Sequence, residues 1–578
     1  MGLRSALRWA SGPAQSIALV AGVLAMSLPL CDGASAAPPS LPGSAQPGHD
    51  RPLPEVPQPP PEYHFQIEAP HRSPVPRDVD AIRFKLSDIR VEGAVTLSPE
   101  SFKPLYAGLI GKDITLSNIY DIADAIENAY RNAGYPLVRA YVPPQRVNDG
   151  VFTIKVVEGY VAAMSVEGGS DALQARIKDY LAPAEESHPL KLAALERGLL
   201  LANDIPGVAA TGILKPSAST PGASDLIVTV SQPRVTGGLA VDNRGSHFSG
   251  IWTITADAAL NGVIDGADQL SASITGSPHS KEQLGGQLRY RHPIGDSGLT
   301  GSLFGVITHG EPGSTLSAFN VRTDSYAFGP RLTYPLIRSR AETLMFDGGF
   351  TAQDAKVDIL GTGVSHDHWR VLDIAADYLS SDFLGGNLGG VLDVAQGLTV
   401  LGATPNGSPE LSRKGAKTDF TKIVAGARFL EPLGHGLGLM LGMQSQYTFT
   451  PLIIGEQVTF GGKDIGRGYD PGAITGDRGI GGSAELRYTS KITGMNPLTA
   501  LEPYVFYDTA AAWYINHGSS FDPSLKNQTI ASTGGGVRFW FDPQITAGLE
   551  VARTLRAVPG SDGGKKTTKV LVDAAIRF

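Results

Sequence analysis

Long apolar runs are missing from this 578-residue chain. Beyond the N-terminus no segment offers roughly eighteen consecutive apolar residues, so no helix is expected to cross a membrane. Cysteine is nearly missing too: Cys31 stands alone. It follows Leu30, a bulky residue where a lipoprotein signal wants a small one. If processing follows Ala36, the mature chain has no cysteine, which excludes disulfide staples, thiolate metal sites and cysteine catalysis. Positive charge is in deficit. Lys and Arg number 48 against 56 Asp and Glu, for a net charge of −8, and no basic block occurs. Nucleic acid is therefore not an expected partner. The chain lacks G-x-x-x-x-G-K-[ST] and G-x-S-x-G, so neither a nucleotide-driven step nor lipase-type catalysis is expected.

What is there begins with an export signal. Arg4 and Arg8 precede an apolar run from about Ile17 to Leu30, and Ala34–Ala36 supply an A-x-A site. Residues 1–36 read as a signal peptide. Residues 37–81 read as a linker whose proline density favours extended geometry and opposes a packed core.

Residues 82–160 carry an α/β pattern. An alternating strand at "FKLSDIRVEG" precedes a helix whose Ile119, Ile122, Ala123, Ile126, Ala129 and Tyr130 share one face. Ser117 is the expected N-cap and Gly134 the stop. Two strands, "PLVRAYVP" and "GVFTIKVVEGY", complete a β-α-α-β-β order. Residues 161–233 repeat that order with helices near 171–181 and 189–202. From about residue 234 helical periodicity ends. Sixteen candidate strands follow, centred near 239, 255, 272, 288, 304, 329, 347, 373, 392, 425, 443, 484, 507, 535, 548 and 573. Each is expected to run about 9–11 residues, the length of a tilted transmembrane strand. Their connections tend to alternate long and short, with the first links as exceptions. That parity suits an outer-membrane barrel with short periplasmic turns and long outer loops. In lipid every backbone polar group needs an internal partner, and closure of the sheet supplies them all.

The last strand, "TKVLVDAAIRF", puts Val570, Val572, Ala574, Ile576 and Phe578 on a lipid-tolerant face. Lys569, Asp573 and Arg577 fall mostly on the other. In "LEPYVFYDTAAAW", Val505, Tyr507, Thr509, Ala511 and Trp513 form the apolar face, so Glu502, Tyr504, Phe506 and Asp508 point into the lumen. The loop before the twelfth strand holds Gly461, Gly462, Gly466 and Gly468, which permit a chain folded back on itself. Its Arg467 is matched by Asp508 on the wall, a pairing of guanidinium fork and carboxylate. Glu485 and Arg487 also face inward and complete a candidate lumen network with Phe506. If Arg467 and Asp508 touch, reversing both charges is expected to restore part of what each single change removes.

Three phrases carry a family resemblance. "DIGRGYD", with Gly466, Arg467, Gly468, Tyr469 and Asp470, resembles the signature of the inward-folded sixth loop in the BamA-type superfamily. "FYD", ending at Asp508, resembles its acidic partner. "DNRGSHFSG" (Asp242–Gly250) resembles the first barrel hairpin of the ShlB/FhaC/HecB-type haemolysin secretion/activation branch, the TpsB transporters of two-partner secretion. "NAGYPLVRAYVP" and "NDIPGV" resemble POTRA domains, and the terminal Phe578 resembles the assembly signal of outer-membrane proteins. The resemblance spans about residues 82–578. Family members often plug the pore with an N-terminal helix, and none is evident in the proline-rich linker.

The fold class that follows is α+β POTRA domains (82–160 and 161–233) before an all-β 16-stranded antiparallel outer-membrane barrel (234–578) with an inward-folded loop. The resemblance implies a nucleotide-independent transporter that takes an unfolded exported partner from its periplasmic POTRA domains through the lumen. That partner would be a large adhesin, cytolysin or toxin. It further implies contact with outer-membrane lipid and the barrel-assembly machinery, a monomeric state, no cofactor, no metal and no catalytic residues. The alternative is an assembly factor of the BamA type, though such factors usually carry more POTRA units. A passive porin has no use for residues 82–231. "SHDHW" sets His366 and His368 two apart without a third ligand, and reads as a solvated outer loop.

Overall fold

The computed structural model describes residues 41–49, 65–67 and 80–578, except 148, 280, 493, 495–496, 516–525, 542–543 and 560. The expected signal peptide and most of the linker lie outside these residues.

Two α/β layers come first. In the first, the helix Leu116–Asn132 lays Ile119, Ile122, Ile126 and Tyr130 onto Ile89 of the strand Asp88–Glu92 and Phe152, Ile154 and Val156 of Val151–Val157. Burying each such side chain stabilises the layer by roughly 1.5–3 kcal/mol. The cap is Thr115 rather than Ser117. Thr115 and Asn118 form a reciprocal capping box, the Thr115 amide donating to Asn118 Oδ1 at 3.1 Å, which leaves Ser117 inside the first turn. Glu158 gathers the edge of this layer. It accepts the amides of Val95 and Thr96 at 2.9 and 2.8 Å, the Thr96 hydroxyl at 2.8 Å and the Tyr130 hydroxyl at 2.7 Å. Burial works to raise its carboxyl, but these hydrogen bonds outweigh burial and hold it below the usual range.

The second layer packs the helices Asp171–Glu185 and Leu192–Asp204 on one sheet. Its strands stand in the spatial order Phe65–Ile67, Ala209–Pro216, Ser224–Ser231, Val161–Glu167. The outermost, Phe65–Ile67, comes from the linker and lies parallel to Ala209–Pro216, pairing Phe65 with Gly212. The layer is tied to the barrel through side chains. Arg338 forks onto Asp204 at 2.8 and 2.7 Å, and Arg197 donates to the Pro335 carbonyl at 2.9 Å.

The barrel is a closed antiparallel cylinder of sixteen strands, the twelfth running as two pieces, Arg478–Tyr488 and Ser490–Lys491. Alternation shows directly: Val505 and Tyr507 are exposed on the outer wall while Tyr504, Phe506 and Asp508 are buried inside. Strand length departs from the uniform 9–11 expected. The first strand (Val235–Asp242) has 8 residues, the second (Thr253–Asn261) 9 and the sixteenth (Thr568–Arg577) 10. The sixth (Arg322–Arg338), seventh (Glu342–Ile359) and eighth (Thr362–Phe383) have 17, 18 and 22. One side of the barrel therefore rises far beyond what a membrane requires.

The tall side corrects two expectations. His366 and His368 lie in the eighth strand, not in an outer loop. The seventh and eighth strands meet in a two-residue outer turn, Leu360–Gly361, with φ of 52° and 78°, so loop parity breaks there. Both φ values are positive, as the tightest hairpin turn requires. The strands kept pairing above the membrane, and the expected loop became sheet.

Candidate functional site

The loop joining the eleventh strand (Leu437–Thr448) to the twelfth folds inward. It contains a two-stranded ribbon, Val458–Phe460 with Ile474–Gly476, which pairs with itself and not with the wall. Val458, Phe460, Ile465, Tyr469, Ala473 and Ile474 pack as an apolar plug against Ala510, Ala512, Ile530 and Val558.

Arg467 sits at the tip with its side chain 6% exposed, facing two carboxylates at 0%. Its Nε and Nη2 donate to Asp508 Oδ2 and Oδ1 at 3.1 and 2.9 Å, and its Nη1 donates to Glu485 Oε2 at 2.7 Å. The guanidinium carbon lies 3.6 Å from the centroid of the Phe506 ring. Asp508 also accepts the amides of Gly466 and Arg467 at 3.2 and 3.1 Å. Those amides converge on one carboxylate because Gly466 turns through a φ of +92°. Gly468 serves differently. It has no positive φ, but a Cβ there would meet the backbone of Arg553 and Thr554 at 3.0 Å. The Tyr469 hydroxyl lies between the carbonyls of Ala531 and Arg556 at 2.9 and 2.8 Å. Asp470 holds Lys569 on one oxygen and lies 2.8 Å from His247 Nδ1 on the other.

Around this centre, opposite charges alternate. Arg538, from the fourteenth strand (Asn527–Trp540), donates to Glu485 at 2.8 and 3.0 Å and to Glu502 at 2.7 Å. Arg487 does not reach the loop; its Nε is 3.9 Å from Glu502. Glu550, on the fifteenth strand (Ile545–Thr554), lies 3.8 Å from Arg467, accepts the Tyr504 hydroxyl at 2.7 Å and pairs with Arg244 at 3.0 Å. Arg538, Glu550 and Arg244 were not among the residues expected from sequence. Strand parity alone marks the first two as inward, but only register shows what they touch. This setting opposes rescue by a charge-reversed pair. Arg467→Asp would add a carboxylate beside Glu485 and Glu550, and Asp508→Arg would face two amides with a cation.

Residues 42–49 of the linker lie within the barrel. Gly48 sits between Trp369 and Gly455, and Gly43 is so close to Gly472 and Thr475 that a Cβ there would overlap them. The loop stem is clamped nearby: Glu456 accepts Trp369 Nε1 at 2.8 Å and pairs with Lys422 at 2.6 Å. Phe578 is exposed on the outer wall and exchanges backbone hydrogen bonds with Gly237 at 2.9 and 3.0 Å. The His366 and His368 ring centroids lie 4.0 Å apart with the planes tilted by 45°, and His368 lies 2.8 Å from Asp354. Among the described residues no group of His, Cys, Asp and Glu is arranged to hold a metal ion.

The model of the haemolysin secretion/activation proteins ShlB/FhaC/HecB matches residues 222–539. The chain belongs to this family. The ShlB-type POTRA model matches residues 84–159. As a family member the chain is an outer-membrane transporter of two-partner secretion with periplasmic POTRA domains. Among curated relatives, the heme/hemopexin transporter protein HuxB of Haemophilus influenzae is 22% identical over 77% of this chain and 79% of its own. The outer membrane transporter CdiB of Dickeya dadantii is 24% identical over 81% and 83%. Among solved structures, CdiB from Escherichia coli superposes with a TM-score of 0.65 at 20% identity, covering 88% of this chain and 93% of that one. BamA from Haemophilus ducreyi lacking POTRA domains 1–3 gives 0.53 at 12%, covering 86% and 100%. Both structures share the fold, so the fold does not separate ShlB-type transporter from assembly factor; the family model does.

Proposed function

We propose that this ShlB-type transporter captures an extended polypeptide at the sheet edges of two POTRA domains, 82–160 and 161–233, and releases it outward through the barrel, 234–578. The client is a large secreted adhesin, cytolysin or toxin. The protein works as a monomer, without catalysis of its own, and reaches the membrane through the barrel-assembly machinery, with Phe578 in the recognised strand. Edge capture is supported by Ala209–Pro216, which already accepts an added strand from the chain's own linker, Phe65–Ile67. Backbone pairing of that kind gives affinity with little demand on sequence.

The observation that carries the reading is the self-paired ribbon in the lumen. Its strands bond to each other, and the wall holds the loop through side chains. The loop can leave its seat without breaking any barrel ladder. Transit then requires three displacements: Arg467 from Asp508 and Glu485, the stem from Trp369 and Lys422, and residues 42–49 from the bore.

The test deletes residues 82–231 and measures two quantities, retention of the partner encoded by the neighbouring reading frame and ion conductance in planar bilayers. Conductance should persist and retention should disappear. A deleted form that still holds its client overturns capture by the POTRA domains.

A further inference from the structure

Five residue pairs in the strands close the cylinder, Gly238↔Arg577 to Asp242↔Asp573, extended at one end by the exchange between Gly237 and Phe578. Past Asp242 the first strand gives way to the hairpin that leads to the second; one backbone bond continues, from the Asn243 N–H to the Val572 carbonyl at 3.2 Å, and side chains carry the rest. The Asn243 amide group receives the Val572 N–H at 2.7 Å and donates to the Val570 carbonyl at 3.0 Å, as a strand residue's backbone would. Arg244 crosses the seam to Asp573 at 3.3 Å and to Glu550 Oε1 at 3.0 Å. The other oxygen of Glu550 faces Tyr504 and Arg467. The two arginines therefore orient one carboxylate from opposite sides and do not compete for a single oxygen.

The loop tip makes a second and more direct crossing. Asp470 carries His247 of the first hairpin on Oδ2 and Lys569 of the sixteenth strand on Oδ1. Its side chain is 7% exposed. One carboxylate of the loop thus spans both sides of the seam, one residue beyond the Tyr469 anchor and three beyond Arg467.

We infer that the tip of the inward loop staples the barrel seam: Asp470 bridges His247 to Lys569, and Glu550 links Arg244 to Arg467, so unseating the loop loosens the pairing of the first and last strands. Asp470 is a positioning residue here, acting on the seam through its two partners. The coupling goes beyond the transport reading and is measured with no client present, so either can fail without the other. Because coupling between two sites is reciprocal, a strained seam should also weaken the loop's seat.

The experiment places Ala240→Cys and Ala575→Cys across the seam in a Cys31→Ser background. These residues are direct partners in the ladder. Cα atoms of such partners lie within disulfide range. The rate of disulfide formation under mild oxidation reads seam pairing in folded, membrane-inserted protein. A control pair, Phe350→Cys with Leu372→Cys, reads the seventh and eighth strands, where these residues are also partners. Arg467→Ala and Asp470→Asn should each slow the seam crosslink by at least about fivefold, the low end of measured inter-site couplings. The control pair should not change. The double variant should be no slower than Arg467→Ala alone, since an unseated tip has already withdrawn Asp470. Asp470→Glu should recover much of the rate. Seating is read independently by maleimide labelling of Ala473→Cys, buried in the seated loop. Labelling that rises with Arg467→Ala while the seam crosslinks at the wild-type rate overturns the inference. So do additive effects in the double variant, or equal slowing at both cysteine pairs. If Arg467→Ala does not insert, Asp470→Asn carries the same test, because it keeps the side chain's shape and the Arg467 pairs.

Discussion

Between the seventh and eighth strands the ladder runs from Glu342↔Ser380 to Ile359↔Thr362 with one register shift; between the first and sixteenth it covers five pairs. The tall wall is held by backbone, and its inward side chains Trp369 and Gln353 clamp the loop stem and residues 42–49, with Lys422 of the tenth strand (Thr421–Gly434) beside them. The seam side is held by far less backbone, and its ion pairs reach the loop tip: Arg244, Arg467, Lys569 and Arg538 against Glu550, Asp508, Asp470 and Glu485. A long ladder does not let go in parts, whereas an ion-paired contact has discrete partners that can be exchanged. The difference places the moving parts: the loop's stem rests on the rigid side and its tip on the side that can yield.

The largest effect is expected from removing the cation at the tip. Arg467→Ala leaves Asp508 and Glu485 as buried carboxylates short of a partner, a change that typically costs about 3–5 kcal/mol. Secretion of the client should fall by more than tenfold while the barrel still inserts, checked by heat-modifiable migration. Export at the wild-type level would remove the lock from the account. The charge-swapped double variant should stay defective, because Glu485, Glu550 and the Gly466 and Arg467 amides remain arranged around a cation at position 467 and an anion at 508. A rescued swap would show that the pair acts by itself, without its neighbours.

Much of this was legible in the sequence, and the missing part has a physical reason. Period-two alternation marks strand centres wherever one face meets lipid and the other water, so all sixteen strands could be found. Parity placed Asp508, Phe506 and Glu485 on the inner wall. "SHDHW" read as an outer loop because its residues are mostly polar, although Asp367 and Trp369 point inward and are buried and the ladder continues. Glu550 and Arg244 are 306 positions apart and meet only because the cylinder closes; no local pattern encodes that. The lumen segment 42–49 was hidden for another cause. It holds its place by close glycine backbone contact and one 3-10 turn, Gly43–Ala45, which leave no periodic signature.

A smaller effect should come from the tall-wall clamp. Glu456→Gln keeps an acceptor for Trp369 but removes the countercharge of Lys422, whose side chain is 3% exposed. Losing a charged hydrogen-bond partner of this kind costs about 1.5–3 kcal/mol. The stem keeps a second anchor, since Asp477 accepts the Leu452 and Ile515 amides at 2.8 and 2.7 Å and pairs with Arg413 at 2.6 Å. Secretion should therefore drop without being lost. Trp369 emission, taken as the difference from Trp369→Phe, should shift towards that of a solvated indole. If Glu456→Gln matched Arg467→Ala in severity, the stem would be as decisive as the tip, and the contrast between the two walls would fail.

The smallest effect belongs to the first POTRA layer, where it serves as a control on both walls. Glu158 is held below the ordinary carboxylate range by donors that outweigh its burial. A depressed folded value means the stabilisation is present above the unfolded value of about 4.3 and is lost as pH falls through the lower folded value. The Val95 and Thr96 amides, which Glu158 receives, report on it directly. In full-length protein at neutral pH, Glu158→Gln should speed hydrogen exchange at those two amides. The same acceleration should appear in the wild-type protein only below about pH 4. Loop labelling at Ala473→Cys and seam crosslinking should stay at wild-type levels in this variant, because nothing in the ion-pair chain of the barrel touches Glu158 in the described residues. A seam that loosened with Glu158→Gln would mean that the POTRA layer, and not the loop tip alone, sets how tightly the cylinder closes.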